Sequence, residues 1–169
     1  MPMFDFLTDA QYIALGRVVA NAAELESLLA TILTNLLELN EKQARALIPV
    51  MMARKIELLE KLHPVDDEVG KKELKDLTRV LRELNDKRNT VVHGIWYPAH
   101  KDKMPTKRLL EMLVGSIPAK DVIAKNRDKV FPVAELENLS NELAIAYSNV
   151  RGFAKRHWLA SLEQSDGKP

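Results

Sequence analysis

The sequence contains no cysteine among its 169 residues. Disulfides, thiolate catalysis and cysteine-based zinc sites are therefore excluded, and a reducing compartment is the natural setting. Charged residues interrupt every apolar run well before the roughly 20 residues that a membrane-spanning helix needs. The N-terminal stretch MPMFDFLTDA also lacks the basic and apolar regions of a signal peptide. We therefore expect a soluble cytoplasmic protein without a membrane partner.

Aromatic residues and excess charge are also scarce. Aromatics make up 5% of the chain, whereas hydrophobic residues, with Leu and Ala prominent, make up 46%, which favours helix packing over a β-sandwich. The 25 basic and 24 acidic residues leave a formal net charge of +1, so an RNA-binding surface would have to be a local patch. No Pro-, Gly- or Ser-rich linker divides the chain, and we expect one domain over residues 1–169.

Apolar periodicity predicts a mainly α fold. Thr8 and Gln11 form a capping-box pattern at the start of the first helix. Glu24, Glu26 and Glu38 are expected on its other faces, away from an apolar stripe formed by Leu15, Val18, Ala22, Leu25, Leu29, Ile32 and Leu36. The predicted helices cover residues 8–39, 41–48, 50–63, 71–93 and 132–162, with a polar turn over 65–70. Short β-prone runs between Pro and Gly residues predict a β-hairpin within 95–124. The simplest packing is an up-down four-helix bundle with this short hairpin inserted before the last helix.

One residue in the fourth predicted helix breaks its apolar stripe. The stripe would place an apolar residue at position 88, where the sequence has Arg88. Its earlier members are Leu74, Leu77, Leu81 and Leu84. A guanidinium on a buried stripe is costly unless it is ion-paired or faces a cleft or an interface. Such exceptions concentrate at functional sites.

Asn89 and His93 lie four residues apart and therefore share a helix face next to Arg88. His93 falls in the last predicted turn before Gly94, where the helix dipole favours a charged imidazolium. Arg88 offers a fixed cation and a fork for phosphate, His93 can transfer a proton, and Asn89 can orient either the histidine or the phosphate. This set suits cleavage of a phosphodiester without a metal or cofactor, and carboxylates and histidines nowhere cluster with metal-ligand spacing.

Basic residues near this motif are candidates for RNA binding. A stretch shortly after it, close to Trp96 and Tyr97, combines positive charge with aromatic rings, as sites for single-stranded RNA do. The alternative interpretation of this stretch is a solvated loop. The predicted substrate-binding residues are Lys87, Lys101, Lys103, Lys107 and Arg108.

The segment Arg88-Asn89-x-x-x-His93 resembles the signature of HEPN ribonucleases, in which Arg, often followed by Asn, precedes His by four to six residues. Gly94-Ile95-Trp96 and the stretch from Arg54 to Leu59 are similar to the surroundings of that motif. The resemblance implies a HEPN-like helical bundle that forms a homodimer, with one active site built from two motif helices. It also implies metal-independent RNA cleavage, a role as toxin or phage-defence effector, and in some members a nucleotidyltransferase-like antitoxin.

Two other interpretations of the motif stay open. In one, the chain is a non-catalytic HEPN module that binds a nucleotide, RNA or a partner protein. In the other it is a purely structural bundle, with Arg88 ion-paired to a neighbour such as Asp86 and His93 at the helix end. A second pair, Arg151 and His157, also fits the loose spacing, but no Asn follows Arg151 and His157 falls on an apolar stripe. We expect that pair to belong to a packed helix end.

Overall fold

The computed structural model describes residues 8–62, 65, 67–92 and 132–159. These ranges contain five α-helices and no strand. In chain order the elements are α1 (Asp9–Leu36), α2 (Glu41–Leu47), α3 (Met52–Leu62), α4 (Glu68–Val92) and α5 (Val133–Ala154), followed by a π-helical turn at Lys155–Leu159. The predicted helical fold is confirmed, whereas the predicted hairpin at 95–124 lies outside the described residues.

The start of α1 is fixed by the predicted capping box. The Thr8 backbone N–H donates to Gln11 Oε1 at 2.9 Å, and the Gln11 N–H donates to Thr8 Oγ1 at 3.2 Å. Asn40 and Gln43 form the same reciprocal arrangement at the start of α2. Helix α1 is shorter than the predicted 8–39 because Glu38 has a φ of 51°, a left-handed conformation that ends a helix.

Helix α4 begins earlier than the sequence predicts. Its first residue is Glu68 rather than residue 71, because Asp67 Oδ1 accepts a 2.7 Å hydrogen bond from the Gly70 N–H and caps the helix. Gly70 therefore lies inside the helix and not in a turn. A Cβ at Gly70 would lie 2.3 Å from Val65 Cγ1 and 3.0 Å from His157 Cε1, so glycine allows the close approach of these three segments.

The helices pack as a bundle around one apolar core. Ion pairs show that α4 and α5 run antiparallel, since Lys87 pairs with Glu142 at one end and Glu73 pairs with Arg156 at the other. Helix α1 packs along α5, where Asn21 Nδ2 donates to the Ser140 carbonyl at 2.9 Å. Core side chains include Val18, Leu25, Leu29, Ile56, Leu59, Leu81, Leu84, Leu136, Leu143, Val150 and Phe153.

The predicted stripes of the long helices are largely the buried faces. In α5, the apolar spacing of the sequence predicts a stripe whose six residues are all buried, namely Leu136, Leu139, Leu143, Ala146, Val150 and Phe153. In α1, the stripe from Val18 to Ile32 is buried, while Leu15 and Leu36 at its ends are partly exposed. None of the helices in the described ranges is long and apolar enough to cross a membrane.

Candidate functional site

Arg88 lies on the buried face of α4, as the stripe predicts. The stripe residues on either side, Leu84 and Val91, are both buried. The Arg88 side chain keeps 21% of its surface exposed, so its guanidinium lies at the edge of the core rather than in solvent. The sequence rule that singled out Arg88 therefore reflects a real position in the packed bundle.

Asn89 contacts the arginine directly. Arg88 Nη1 donates to Asn89 Oδ1 at 2.9 Å, which shows that the guanidinium turns from the apolar stripe toward the neighbouring polar face. The sequence predicts that Asn89 orients the histidine or the phosphate. In the structure its oxygen orients the arginine. The buried Arg88 Nε has no hydrogen-bond partner among the described residues, although such a buried donor ordinarily costs about 1–3 kcal/mol.

Glu26 of α1 faces Arg88 across the helix interface. Glu26 Oε1 lies 3.7 Å from Arg88 Nη2, and the carboxylate side chain is 24% exposed. The contact is longer than the roughly 2.7–2.9 Å of a charge-assisted hydrogen bond, so it is an ion pair without a hydrogen bond. The ion-pair partner is thus Glu26 rather than Asp86. Glu26 lies off the buried stripe of α1, as the sequence predicts, but most of its side chain is covered.

Lys55 brings a second cation near Glu26. This lysine is buried in α3 with 6% of its surface exposed, and its Nζ donates to the Val50 carbonyl at 2.7 Å. Burial lowers the pKa of the Lys55 ammonium, while the negative charge of Glu26 opposes that shift. The sequence pattern assigns no chemical role to Lys55, which lies within the stretch from Arg54 to Leu59 that is similar to HEPN proteins.

Lys87, one of the predicted substrate-binding residues, is engaged in a surface ion pair. Its Nζ lies 2.7 Å from Glu142 Oε2, and the lysine side chain is more than half exposed. An exposed pair of this kind contributes about 0–1 kcal/mol, so Lys87 can exchange this partner for a phosphate at little cost.

His93, the predicted proton-transfer residue, lies outside the described residues, as do the rest of the predicted binding set. These others are Lys101, Lys103, Lys107 and Arg108. Among the residues that the structure does describe, no group of three or more His, Asp or Glu side chains could hold a metal ion. The structure therefore brings together Arg88, Asn89 and Glu26.

The second arginine–histidine pair belongs to a packed helix end, as expected. Arg151 is exposed on α5. His157 Nε2 lies 3.3 Å from Glu73 Oε2, and its ring centroid is 4.5 Å from that of Phe153. A groove of about 320 Å³ between α4 and α5 is lined in part by Glu73 and Arg156. This groove lies at the end of α4 opposite to Arg88, so it is separate from the motif.

The resemblance to HEPN proteins rests on short stretches of sequence, from Arg54 to Leu59 and from Arg88 to Trp96. Of the residues in these stretches, Arg88 forms an ion pair with Glu26, and Lys55 is buried in α3. Searches against protein-family models, curated proteins and solved structures find no match to this chain.

Proposed function

We propose that this chain is a metal-independent endoribonuclease of the HEPN class that acts on RNA as a homodimer. The observation that carries the proposal is Arg88, a half-buried arginine with a buried N–H that no described residue accepts. The buried Nε is out of reach of a ligand, but Nη2 makes no hydrogen bond among the described residues and is not buried. Nη2 is therefore the donor from which a phosphate can accept.

In this proposal, the arginine and the histidine of the motif divide the chemistry. His93 accepts the proton of a ribose 2′-hydroxyl, and the resulting oxygen attacks the adjacent phosphorus. The bond to the 5′-oxygen breaks, and that oxygen takes up the proton that His93 accepted, which leaves a 2′,3′-cyclic phosphate and a 5′-hydroxyl. Arg88 stabilises the negative charge on the phosphorane, and Asn89 holds Arg88 in place.

Basic residues around the motif guide the RNA in this scheme. Lys87 exchanges Glu142 for a phosphate of the backbone, and such contacts weaken with salt. The remaining members of the guiding set are Lys101, Lys103, Lys107 and Arg108.

The biological role is part of the same proposal and follows from the family resemblance. The protein acts as a toxin or phage-defence effector in the cytoplasm, and a nucleotidyltransferase-like antitoxin is its proposed partner. Two motif helices meet across a two-fold axis in the homodimer. Sedimentation at several concentrations tests the dimer, and a strict monomer under active conditions contradicts it.

Cleavage of single-stranded RNA in EDTA tests the enzymatic proposal. Wild-type protein should release fragments that end in a cyclic phosphate, and His93→Ala should abolish the reaction. His157→Asn is the matched control, because it removes the histidine of the other arginine–histidine pair. If neither the wild-type protein nor His93→Ala cleaves any of a varied set of RNAs, the enzymatic proposal is wrong.

The Glu26 contact favours a second candidate function, a non-catalytic HEPN module that binds a nucleotide, RNA or a partner protein. The charge of Glu26 partly neutralises the charge of Arg88. A module that only binds its ligand can tolerate this, because it has no transition state to stabilise. The structural interpretation likewise predicts an ion-paired Arg88. The binding module predicts RNA or nucleotide capture that depends on Arg88 with no cleavage product, measured by fluorescence anisotropy beside the cleavage assay.

A further inference from the structure

The carboxylate of Glu26 interacts with the Arg88 guanidinium without consuming its hydrogen-bonding capacity. A guanidinium has five N–H donors. Arg88 Nη1 donates to Asn89 Oδ1 at 2.9 Å, whereas the buried Nε has no partner among the described residues. Because Glu26 lies at 3.7 Å from Nη2, it attracts the group by charge. The buried Nε is out of reach of a ligand, so the open part of the guanidinium is Nη2, which makes no hydrogen bond among the described residues.

Glu26 also acts on Lys55, so one carboxylate interacts with cations from two different helices. Helix α3 contributes the buried Lys55, and α4 contributes Arg88. The charge of Glu26 raises the pKa of the Lys55 ammonium, against the larger lowering by burial. Lys55 is buried and donates to the Val50 carbonyl, so the partly exposed Arg88 is the cation of the two that an anion can reach.

We propose that Glu26 is a positioning residue, whose charge holds the Arg88 guanidinium so that the open edge of its fork receives the phosphodiester. The nature of the anion in this inference rests on the proposed ribonuclease function, whereas the contact between the two side chains does not. Glu26 acts through Arg88. The carboxylate would repel a phosphate, so it has no direct part in binding the substrate.

Three variants separate the charge of Glu26 from its size and from its place on α1. Glu26→Gln keeps the length of the side chain and removes the charge, and Glu26→Asp restores the charge. Glu24→Gln is the matched control, because Glu24 is exposed on the same helix two residues away. Two measurements apply to each folded protein. One is kcat and KM on single-stranded RNA, and the other is the ¹⁵N–¹H resonance of Arg88 Nε, assigned by its absence in Arg88→Lys.

Glu26→Gln should lower kcat about tenfold to a hundredfold and leave KM within about twofold. The reason is that moving the Arg88 guanidinium by on the order of 1 Å can slow the chemical step by about that factor. The Arg88 Nε resonance should move in the same variant. Glu26→Asp should bring kcat back to within roughly threefold of wild type, since charge and not shape does the positioning. Glu24→Gln should leave both measurements unchanged.

Two results overturn the inference in a wild-type protein that cleaves RNA. One is an unchanged kcat in folded Glu26→Gln, whether or not the Arg88 Nε resonance moves. The other is a kcat that Glu26→Asp does not restore. If wild type cleaves no RNA, the proposed function fails on its own, and the resonance alone decides whether Glu26 holds Arg88. A resonance that moves in Glu26→Gln and not in Glu24→Gln then supports the positioning, and one that stays in place overturns it.

Discussion

The two arginine–histidine pairs of the chain have similar spacing and very different surroundings. Arg88 lies half-buried between α1 and α4, with one N–H unsatisfied among the described residues. Arg151 is exposed on α5, and His157, six residues later, packs against Glu73 and Phe153. The same spacing therefore marks a partly unsatisfied cation in one region and an ordinary helix end in the other.

The charge pairs at the two ends of α4 differ in the same way. Arg156 pairs closely with Glu73, and these side chains are 57% and 42% exposed. Arg88 and Glu26 are far less exposed, yet their atoms stay 3.7 Å apart. Exposed ion pairs form short contacts readily and contribute little to stability. A partly buried ion pair without a hydrogen bond has a desolvation cost that a gain in stability does not explain. That cost is the physical reason why we place the proposed function at the Arg88 end of the helix.

The largest predicted effect is on the packed end, the part of the bundle where Phe153, His157 and Glu73 lie together. Phe153→Ala should lower the free energy of unfolding by about 3–5 kcal/mol, because the ring is buried and contacts Trp158 edge-on at 4.9 Å between centroids. Urea denaturation followed by circular dichroism measures this change. Ile145→Ala is the control, since Ile145 is exposed on the same helix, and it should stay within about 0.5 kcal/mol. Equal losses in both variants would mean that the two positions pack alike.

The next effect separates the two arginines directly. Arg88→Ala should lower the rate of RNA cleavage by about 10²- to 10³-fold, the usual loss when one donor to a transition-state oxyanion is removed. Arg151→Ala should leave the rate within about twofold, because Arg151 is exposed and lies away from the motif. Single-turnover cleavage assays give both rates. If both variants lose a similar factor in cleavage rate, the two arginine–histidine pairs do not differ in function.

A smaller effect concerns the glycine that lets the packed end close. Gly70→Ala should lower the free energy of unfolding by about 1–3 kcal/mol through overpacking, because the added Cβ would lie 2.3 Å from Val65 Cγ1. Gly16→Ala is the matched control, since nothing lies within 4 Å of a Cβ there. Gly16 is inside α1, so alanine should stabilise by about 0.5–1 kcal/mol. Changes of the same sign in both variants contradict this account.

Most of the helical fold follows from sequence pattern, because helix caps and apolar stripes are local. The capping box at Thr8 and the buried apolar stripe that includes Phe153 both lie where the sequence pattern predicts them. The start of α4 was predicted wrongly because Gly70 reads as a turn residue. Its role depends on Val65 and on His157, which is distant in sequence, and no local pattern carries that contact.

The candidate site shows the same division between local and distant information. Arg88 was recognisable because it violates the stripe of its own helix. Glu26 was not recognised as its neighbour, because the contact joins two helices that are far apart in the chain. Charge on an amphipathic helix usually means a solvated face, and only the packing of α1 against α4 turns Glu26 inward.

The smallest predicted effect is a pH dependence at the packed end. The hydrogen bond from the Gly70 N–H, assisted by the charge of nearby His157, holds the pKa of Asp67 below its ordinary value. A carboxyl with a lower pKa in the folded state stabilises the fold above its unfolded pKa of about 3.9, and that stability is lost as the pH falls through the folded pKa.

Asp67→Asn removes this titration while it keeps an oxygen that can accept from Gly70. The difference in free energy of unfolding between wild type and Asp67→Asn should therefore be positive at neutral pH and shrink as the pH falls below about 4. Urea denaturation between pH 7 and pH 2.5 measures that difference, and RNA cleavage at neutral pH should not change. A difference that stays constant, or that grows with acidity, would show that the Asp67 charge does not stabilise the start of α4, and that its oxygen alone caps the helix.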